Sequence, residues 1–249
     1  WACMQEHFQS RGMSYAYNPI ITPAGEVLHE HDLSAILQVG DLVLLDVGAE
    51  TESGYAADVT RTWCVGKEMS TTQAAIHAVV SAAHQAAIAM IKPGVEYEMV
   101  HHNACVTLVS GLCDLGILIG DPSDLVQKNI HTLFFPHGVG HLLGLDVHDM
   151  EDLGDLAGYA PGRKRRTDFG WSFLRLNRPL ETGMVVTVEP GFYQIRDLMK
   201  SFSADPERSR YVDWSVLEHY NDVRGVRIED DILVTDGGHR ILSAADQNQ

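Results

Sequence analysis

The sequence predicts an α+β protein whose strands carry the reactive groups. Leu42-Val43-Leu44-Leu45-Asp46-Val47-Gly48-Ala49 is a nearly continuous apolar run with one acid inside it, the pattern of a buried strand. Glu50-Thr51-Glu52-Ser53-Gly54 then makes a turn. Tyr55-Ala56-Ala57-Asp58-Val59-Thr60-Arg61-Thr62-Trp63 returns as a strand rich in β-branched and aromatic residues. Two helix-length segments follow, residues 74–91 and 97–115, and helices after a hairpin pack on it as a layer.

Composition narrows the function. A chain of 249 residues with 45% hydrophobic residues can bury a sizeable core, and its length allows one large domain or two small ones; the motif order described below favours a single domain over 1–249. A formal net charge of -16 argues against binding a nucleic-acid backbone, which needs a basic face. No apolar run is long enough to span a bilayer and no signal peptide is evident, so a cytoplasmic setting is the default expectation. The four cysteines (Cys3, Cys64, Cys105, Cys113) make no CxxC pair, and Cys105 and Cys113 read as buried thiols in a helix. The chain starts at Trp1 without an initiator methionine, as a processed or shortened protein would.

Residues 1–25 are mixed, with Pro19-Ile20-Ile21-Thr22-Pro23 extended and Ala24-Gly25 a turn. His29 follows two apolar residues and on its own reads as a surface or capping histidine. The hairpin brings Asp46 and Asp58 together, and two close carboxylates repel unless a cation sits between them. An Asp58–Arg61 ion pair is the alternative for Asp58 and leaves Asp46 unexplained. Ser70-Thr71-Thr72-Gln73 is a capping box for the first helix, where His77 and His84 are expected to be partly exposed and not ligands. Lys92-Pro93-Gly94 ends that helix and Gly116 stops the second.

The centre of the chain is His137-Gly138-Val139-Gly140-His141-Leu142-Leu143-Gly144-Leu145-Asp146-Val147-His148-Asp149, three histidines and two aspartates among glycines and apolar residues. A Gly- and charge-rich loop over 151–170 follows; Arg163-Lys164-Arg165-Arg166 in it reads as a solvated run. Gly183-Met184-Val185-Val186-Thr187-Val188-Glu189-Pro190-Gly191 is another apolar strand ending in an acid. Over residues 226–234, alternation puts Arg227, Glu229 and Asp231 on one face and Val226 and Ile228 on the other. Three strands therefore each bury an acid: Asp46, Glu189 and Glu229. With Asp58 and the histidine cluster, they are hard to satisfy without metal. Hard oxygen donors suit manganese, cobalt or magnesium better than a structural zinc. Carboxylates able to bridge imply two ions about 3.5–4 Å apart, as in two-metal hydrolases.

Five stretches resemble the proline-specific branch of the pita-bread metallopeptidases, prolidase (Xaa-Pro dipeptidase) and aminopeptidase P. They are Leu45-Asp46-Val47-Gly48-Ala49, residues 54–62, residues 137–149, Thr187-Val188-Glu189-Pro190-Gly191 and Arg227-Ile228-Glu229-Asp230-Asp231. The similarity runs from about Val27 to Val234. It implies a pita-bread fold, a curved and mostly antiparallel sheet flanked by helices. It also implies that Asp46, Asp58, His141, Glu189 and Glu229 hold two divalent ions, manganese first with cobalt or zinc as alternatives. Asp58 and Glu229 would bridge, and Glu189 would double as general base for a metal-bridging hydroxide. His148 matches a histidine that contacts substrate and steadies the tetrahedral intermediate, and His29 matches a second substrate histidine. His137, Tyr193 and Arg227 join the substrate-binding group. Leu174-Arg175-Leu176-Asn177-Arg178-Pro179-Leu180 fits the prolidase stretch whose arginine binds a dipeptide's free carboxylate, so Arg175 tilts the expectation toward Xaa-Pro dipeptides over longer Xaa-Pro peptides.

Short proline peptides are thus the expected partners, with no nucleic acid and no membrane; a homodimer is compatible with the resemblance. The Asp46–Asp58 interval is one residue longer than the family's usual spacing, and Thr51-Glu52-Ser53-Gly54 is expected to absorb it. On this resemblance the family's separate amino-terminal domain and the first helices of its catalytic domain are expected to be absent from the given sequence. A non-catalytic pita-bread binding module would have lost metal ligands, whereas all five stand here. Creatinase-like relatives work without metal, and the Leu145-Asp146-Val147-His148-Asp149 stretch with Arg175 favours proline over methionine specificity.

Overall fold

A computed structural model describes residues 1–244. The buried acid strand forms at Leu42–Val47, flanked antiparallel by Ile20–Thr22 on one side and Val59–Cys64 on the other. The returning strand begins at Val59, later than the sequence predicts; before it, Ala56 bridges Glu50 and Ala57 N–H donates to Ala49 O, so 55–57 pair within the turn region instead of with Leu42–Val47. Asp46 pairs with Thr60 in this register. Asp58 lies two residues before Thr60 and so falls on the same face. Gly48 permits the tight closure: a Cβ there would lie 1.7 Å from the Ala57 carbonyl oxygen. Gly54 N–H donates to Thr51 O and Thr51 N–H to Tyr55 O, closing the long turn, and Asp46 and Asp58 stay on one face, where both meet the Tyr17 hydroxyl.

A second sheet orders Gly238–Ile241, Asp230–Thr235 and Val185–Val188, all antiparallel. Gly191–Tyr193 pairs with Gly225–Arg227 beyond it. The sequence predicts one strand through 226–234, but the ladder breaks at Ile228-Glu229, opposite a break at Glu189-Pro190. Proline has no N–H for a ladder, so both strands bend at the same level. The two acids sit at that bend. The break also overrides the simple alternation predicted there, since Arg227, Ile228, Glu229, Asp230 and Asp231 are all buried.

Two helices cover the sheets. Thr71–Met90 starts at the predicted capping box, with Ser70 Oγ accepting from Gln73 N–H. Tyr97–Asp114 packs against it and buries Val100, Ala104, Cys105, Leu108 and Leu112 in the main core. The α+β class therefore holds. His84 is an exception to its predicted exposure: it is buried, with Nε2 3.3 Å from Asp230 Oδ2. No described helix is long and apolar enough to cross a membrane.

His131 lies fully buried in the 3₁₀ turn Ile130–Leu133, and burial drives its pKa down from 6.5 to about 3. The folded chain thus binds fewer protons than the unfolded chain between those values. The stability held in a neutral His131 is complete above 6.5 and is lost as pH falls toward 3. From pH 7 to pH 5 this amounts to about 2 kcal/mol. His131→Phe should make the fall in urea-unfolding stability over that interval smaller by about that amount. An unchanged fall would contradict a neutral buried imidazole.

Candidate metal centre

The bends and the hairpin open on one cleft of about 850 Å³, lined by Asp46, Asp58, His141, Glu189 and Glu229 together with His29, His137, His148, Arg175 and Arg227. Of the residues expected at the site, only Tyr193 lies behind the cleft wall, fully buried.

Backbone pairing aims the histidine. Thr187 N–H donates to His141 O and Glu189 N–H to Val139 O, so 139–141 run alongside the strand that carries Glu189. A Cβ on Gly140 would lie 2.2 Å from Thr187 O and 2.4 Å from the Tyr97 hydroxyl, so a side chain at 140 would push His141 away. His141 Nδ1–H donates to Leu142 O at 2.9 Å, which leaves Nε2 facing Asp58 Oδ2 at 3.4 Å and Glu189 Oε1 at 3.9 Å. Such an anchored Nδ1 fixes the tautomer a metal ligand needs.

Each acid has its own support. Arg227 donates through Nη2 to Asp46 Oδ2 (2.5 Å), through Nη1 to the Tyr193 hydroxyl (3.1 Å) and through Nε to Thr60 Oγ1 (3.2 Å). All three donor groups are therefore engaged within the protein, and Arg227 borders the cleft as a support for Asp46. Thr60 Oγ1 donates to Glu229 Oε2 at 2.7 Å. Asp58 N–H donates to Asp231 Oδ2 at 3.2 Å. The alternative Asp58–Arg61 ion pair does not form. Arg61 instead bonds Asp230 Oδ1 at 2.7 Å and the Glu229 carbonyl at 2.5 Å, pinning the bend from outside.

Sequence reasoning missed Tyr17. Its hydroxyl lies 2.5 Å from both Asp46 Oδ1 and Asp58 Oδ1. It has one proton to give, so one of these contacts is oxygen against oxygen. The hydroxyl marks a point where both carboxylates converge and where positive charge is lacking. Nothing in the mixed stretch around Tyr17 signals this.

Electrostatics lead to the same conclusion. Burial and the neighbouring Asp58 and Asp46 push Glu189 up to about 7, against the pull of His141 and Arg227. Burial, then Asp58 and Glu189, hold Glu229 well above the carboxylate range. Burial opposes charge on His141, but Asp58 and Glu189 outweigh it and raise its pKa. Donor atoms of Asp58, His141 and Glu229 all lie within 4.8 Å of one another. Four carboxylates and one imidazole nitrogen, short of cationic charge, fit hard divalent ions.

The remaining histidines differ in freedom. His137 Nδ1–H donates to Gly138 O (2.8 Å) and its Nε2 accepts from the Tyr193 hydroxyl (2.9 Å), so both nitrogens are taken. Burial, then Arg227, lower its pKa to about 3. His148 stacks edge-on to His141 at 4.4 Å, and its Nδ1 lies 3.1 Å from Glu151 Oε2. Burial, then His141, lower its pKa to about 4. Arg175 is paired with Glu151 at the mouth. His29 sits on the rim, exposed.

The sequence profile of metallopeptidase family M24 matches residues 1–236. The chain belongs to this family. A probable Xaa-Pro aminopeptidase of Aspergillus niger is 39% identical over 238 residues, covering 92% of this chain and 49% of that protein. Among solved structures, Pseudomonas aeruginosa aminopeptidase PepP superposes with a TM-score of 0.76 at 31% identity, covering 97% of this chain and 48% of the other. A variant of Escherichia coli aminopeptidase P in complex with substrate gives 0.76 at 33% identity, covering 97% and 47%. The M24 chain thus has the expected pita-bread fold and spans about half the length of the relatives it matches. Membership of a metallopeptidase family implies divalent ions, and the donor set just described suits them.

Gly140→Ala should cost at least tenfold in manganese affinity by titration calorimetry, because the added methyl displaces His141. Wild-type affinity in this variant would contradict the close packing assigned to Gly140.

Proposed function

We propose that this M24 chain hydrolyses the bond between a first residue and proline in short peptides, as the relatives' names describe for those proteins. The observation that carries the reading is the convergence of Asp46, Asp58, His141, Glu189 and Glu229 on one open cleft. Two divalent ions, manganese first, would be held by these five residues, with Asp58 and Glu229 shared. When bound, such ions lower the pKa of water and polarise a carbonyl.

The chain's own residues supply the rest. Glu189 lines the cleft beside His141 and is suited by position to take a proton from the attacking water and return it to the proline nitrogen as that bond breaks. Proline's tertiary amide offers no N–H, so selection rests on ring shape and on groups beyond it. Phe169, Phe173 and Leu198 give the cleft apolar walls for the ring. His148 is neutral near pH 7 with Nδ1–H turned to Glu151, leaving Nε2 to accept from a peptide N–H. His29 has no hydrogen-bond partner among the described residues and is the imidazole free to donate to the oxyanion. Arg227, Tyr193 and His137 act behind these, holding Asp46 and the cleft wall.

A cleft of about 850 Å³ is near the upper end of ordinary ligand pockets, roughly 300–1,000 Å³, and accommodates more than a dipeptide. Arg175 is engaged by Glu151. Both favour Xaa-Pro peptides with residues beyond the proline. The second reading is an Xaa-Pro dipeptidase. It is supported by the position of Arg175 at the mouth, where its guanidinium meets a free carboxylate once Glu151 lets go.

Alanine release from Ala-Pro and from Ala-Pro-Gly, by chelator-stripped protein with and without manganese, tests both readings. Metal-dependent release that is faster from the tripeptide supports the first, and preference for Ala-Pro supports the second. In the second case Arg175→Ala should weaken Ala-Pro about tenfold more than the tripeptide, the scale of one charge-assisted hydrogen bond. Equal loss on both peptides would reject a carboxylate-binding role. No release from folded, manganese-loaded protein would overturn the proposal.

A further inference from the structure

A second group of metal-ligating side chains lies outside the cleft. His101 and Cys105 stand one turn apart on the Tyr97–Asp114 helix, and His131 faces them from the Ile130–Leu133 turn. All three are fully buried, and their donor atoms lie within 4.8 Å of one another. Phe135 separates them from the catalytic cleft. Its ring meets His101 at 5.6 Å and His137 at 4.8 Å.

Neither ring nitrogen of His131 has a hydrogen-bond partner among the described residues. Buried polar groups are nearly always paired, so an imidazole with both nitrogens unmet calls for a ligand. Neighbouring side chains do not supply a partner. Trp171 packs edge-on against His101 at 4.7 Å and His131 at 6.1 Å, while its indole N–H goes to Asn129 Oδ1. The sulfur of Cys105 lies 3.6 Å from His101 Nε2. A trigonal metal shell with bonds of about 2.0 Å to nitrogen and about 2.3 Å to sulfur separates its donors by about 3.5–3.7 Å. The His101–Cys105 pair is already at that spacing, and His131, within 4.8 Å of both, needs to close by at most a little over ~1 Å.

We propose that His101, Cys105 and His131 form a buried metal site for a soft monovalent cation, the cuprous ion. One thiolate and two imidazoles make a soft donor set, unlike the carboxylates of the cleft. A cuprous ion that replaces the Cys105 thiol proton, released to solvent on binding, leaves the site neutral, whereas a divalent ion leaves a net positive charge in the core, which is costly. Arg166 is the charged side chain that bears on both His101 and His131, and it is a cation that adds to that cost. The site offers three protein donors and no aqueous opening, and so matches three-coordination rather than a four-ligand zinc shell.

The test uses the chain with Cys3, Cys64 and Cys113 replaced by serine, saturated with manganese and kept anaerobic, against cuprous ion buffered by a colorimetric chelator. We expect one cuprous ion per chain, a rise in Tm, and an X-ray absorption shell of two nitrogens and one sulfur. Cys105→Ser and His131→Phe should each lower the affinity at least 100-fold. The absorption shell is read on the parent protein, so the test stands even if a variant folds poorly. No saturable uptake, or uptake indifferent to both substitutions, would overturn the site. Zinc taken up on the same residues in preference to cuprous ion would overturn the charge assignment.

Discussion

Four carboxylates share one buried cleft, and their mutual repulsion is the constraint around which this chain is built. Two unit charges 4 Å apart in a protein-like medium interact by about 4 kcal/mol, so the cluster is unfavourable as bare anions. Arg227 offsets part of this for Asp46, and the Tyr17 hydroxyl gives one proton to the Asp46–Asp58 pair. Glu189 and Glu229 respond by holding their protons more tightly. Each of these adjustments is partial. Divalent cations, which membership of the family implies, would complete them, and by linkage their binding would stabilise the fold.

The sheet geometry keeps the cluster together against that repulsion. Paired breaks at Glu189-Pro190 and Ile228-Glu229 turn two acids into the cleft at the same level, and the tight Gly48 closure does the same for Asp46 and Asp58. A second layer pins the bends: Arg61 holds the Glu229 carbonyl and Asp230, while Ser243 bonds Asp230 from the far edge. Such outer contacts orient ligands that would otherwise swing apart.

Much of this was legible in the sequence, because an acid inside an apolar strand is an anomaly that local pattern exposes. Asp46, Glu189 and Glu229 stand out in that way, Asp58 follows from the hairpin, and the motif resemblance singles out His141. Contacts between distant segments were not legible. Tyr17 reaches Asp46 and Asp58 across 29 and 41 positions, and Arg61 chooses Asp230, 169 positions away, over its near neighbour Asp58. The burial of His84, which the sequence predicts to be partly exposed, is not legible because helical periodicity says nothing of the Asp230 packed against it. Cys105 is the buried helical thiol that the sequence predicts, whereas Cys113, predicted alike, is only partly buried; the approach of His131 to Cys105 has no local signal. The break at Ile228-Glu229 has no proline of its own; it mirrors the one at Glu189-Pro190, which only the pairing reveals.

The most direct test of the metal centre is anomalous diffraction from manganese-soaked crystals. Two peaks about 3.5–4 Å apart are expected, with Asp58 and Glu229 touching both, His141 touching one, and the Tyr17 hydroxyl displaced from between the aspartates. A single peak, peaks held by other residues, or Tyr17 still bridging Asp46 and Asp58 in saturating manganese would contradict a dinuclear centre built from these five side chains.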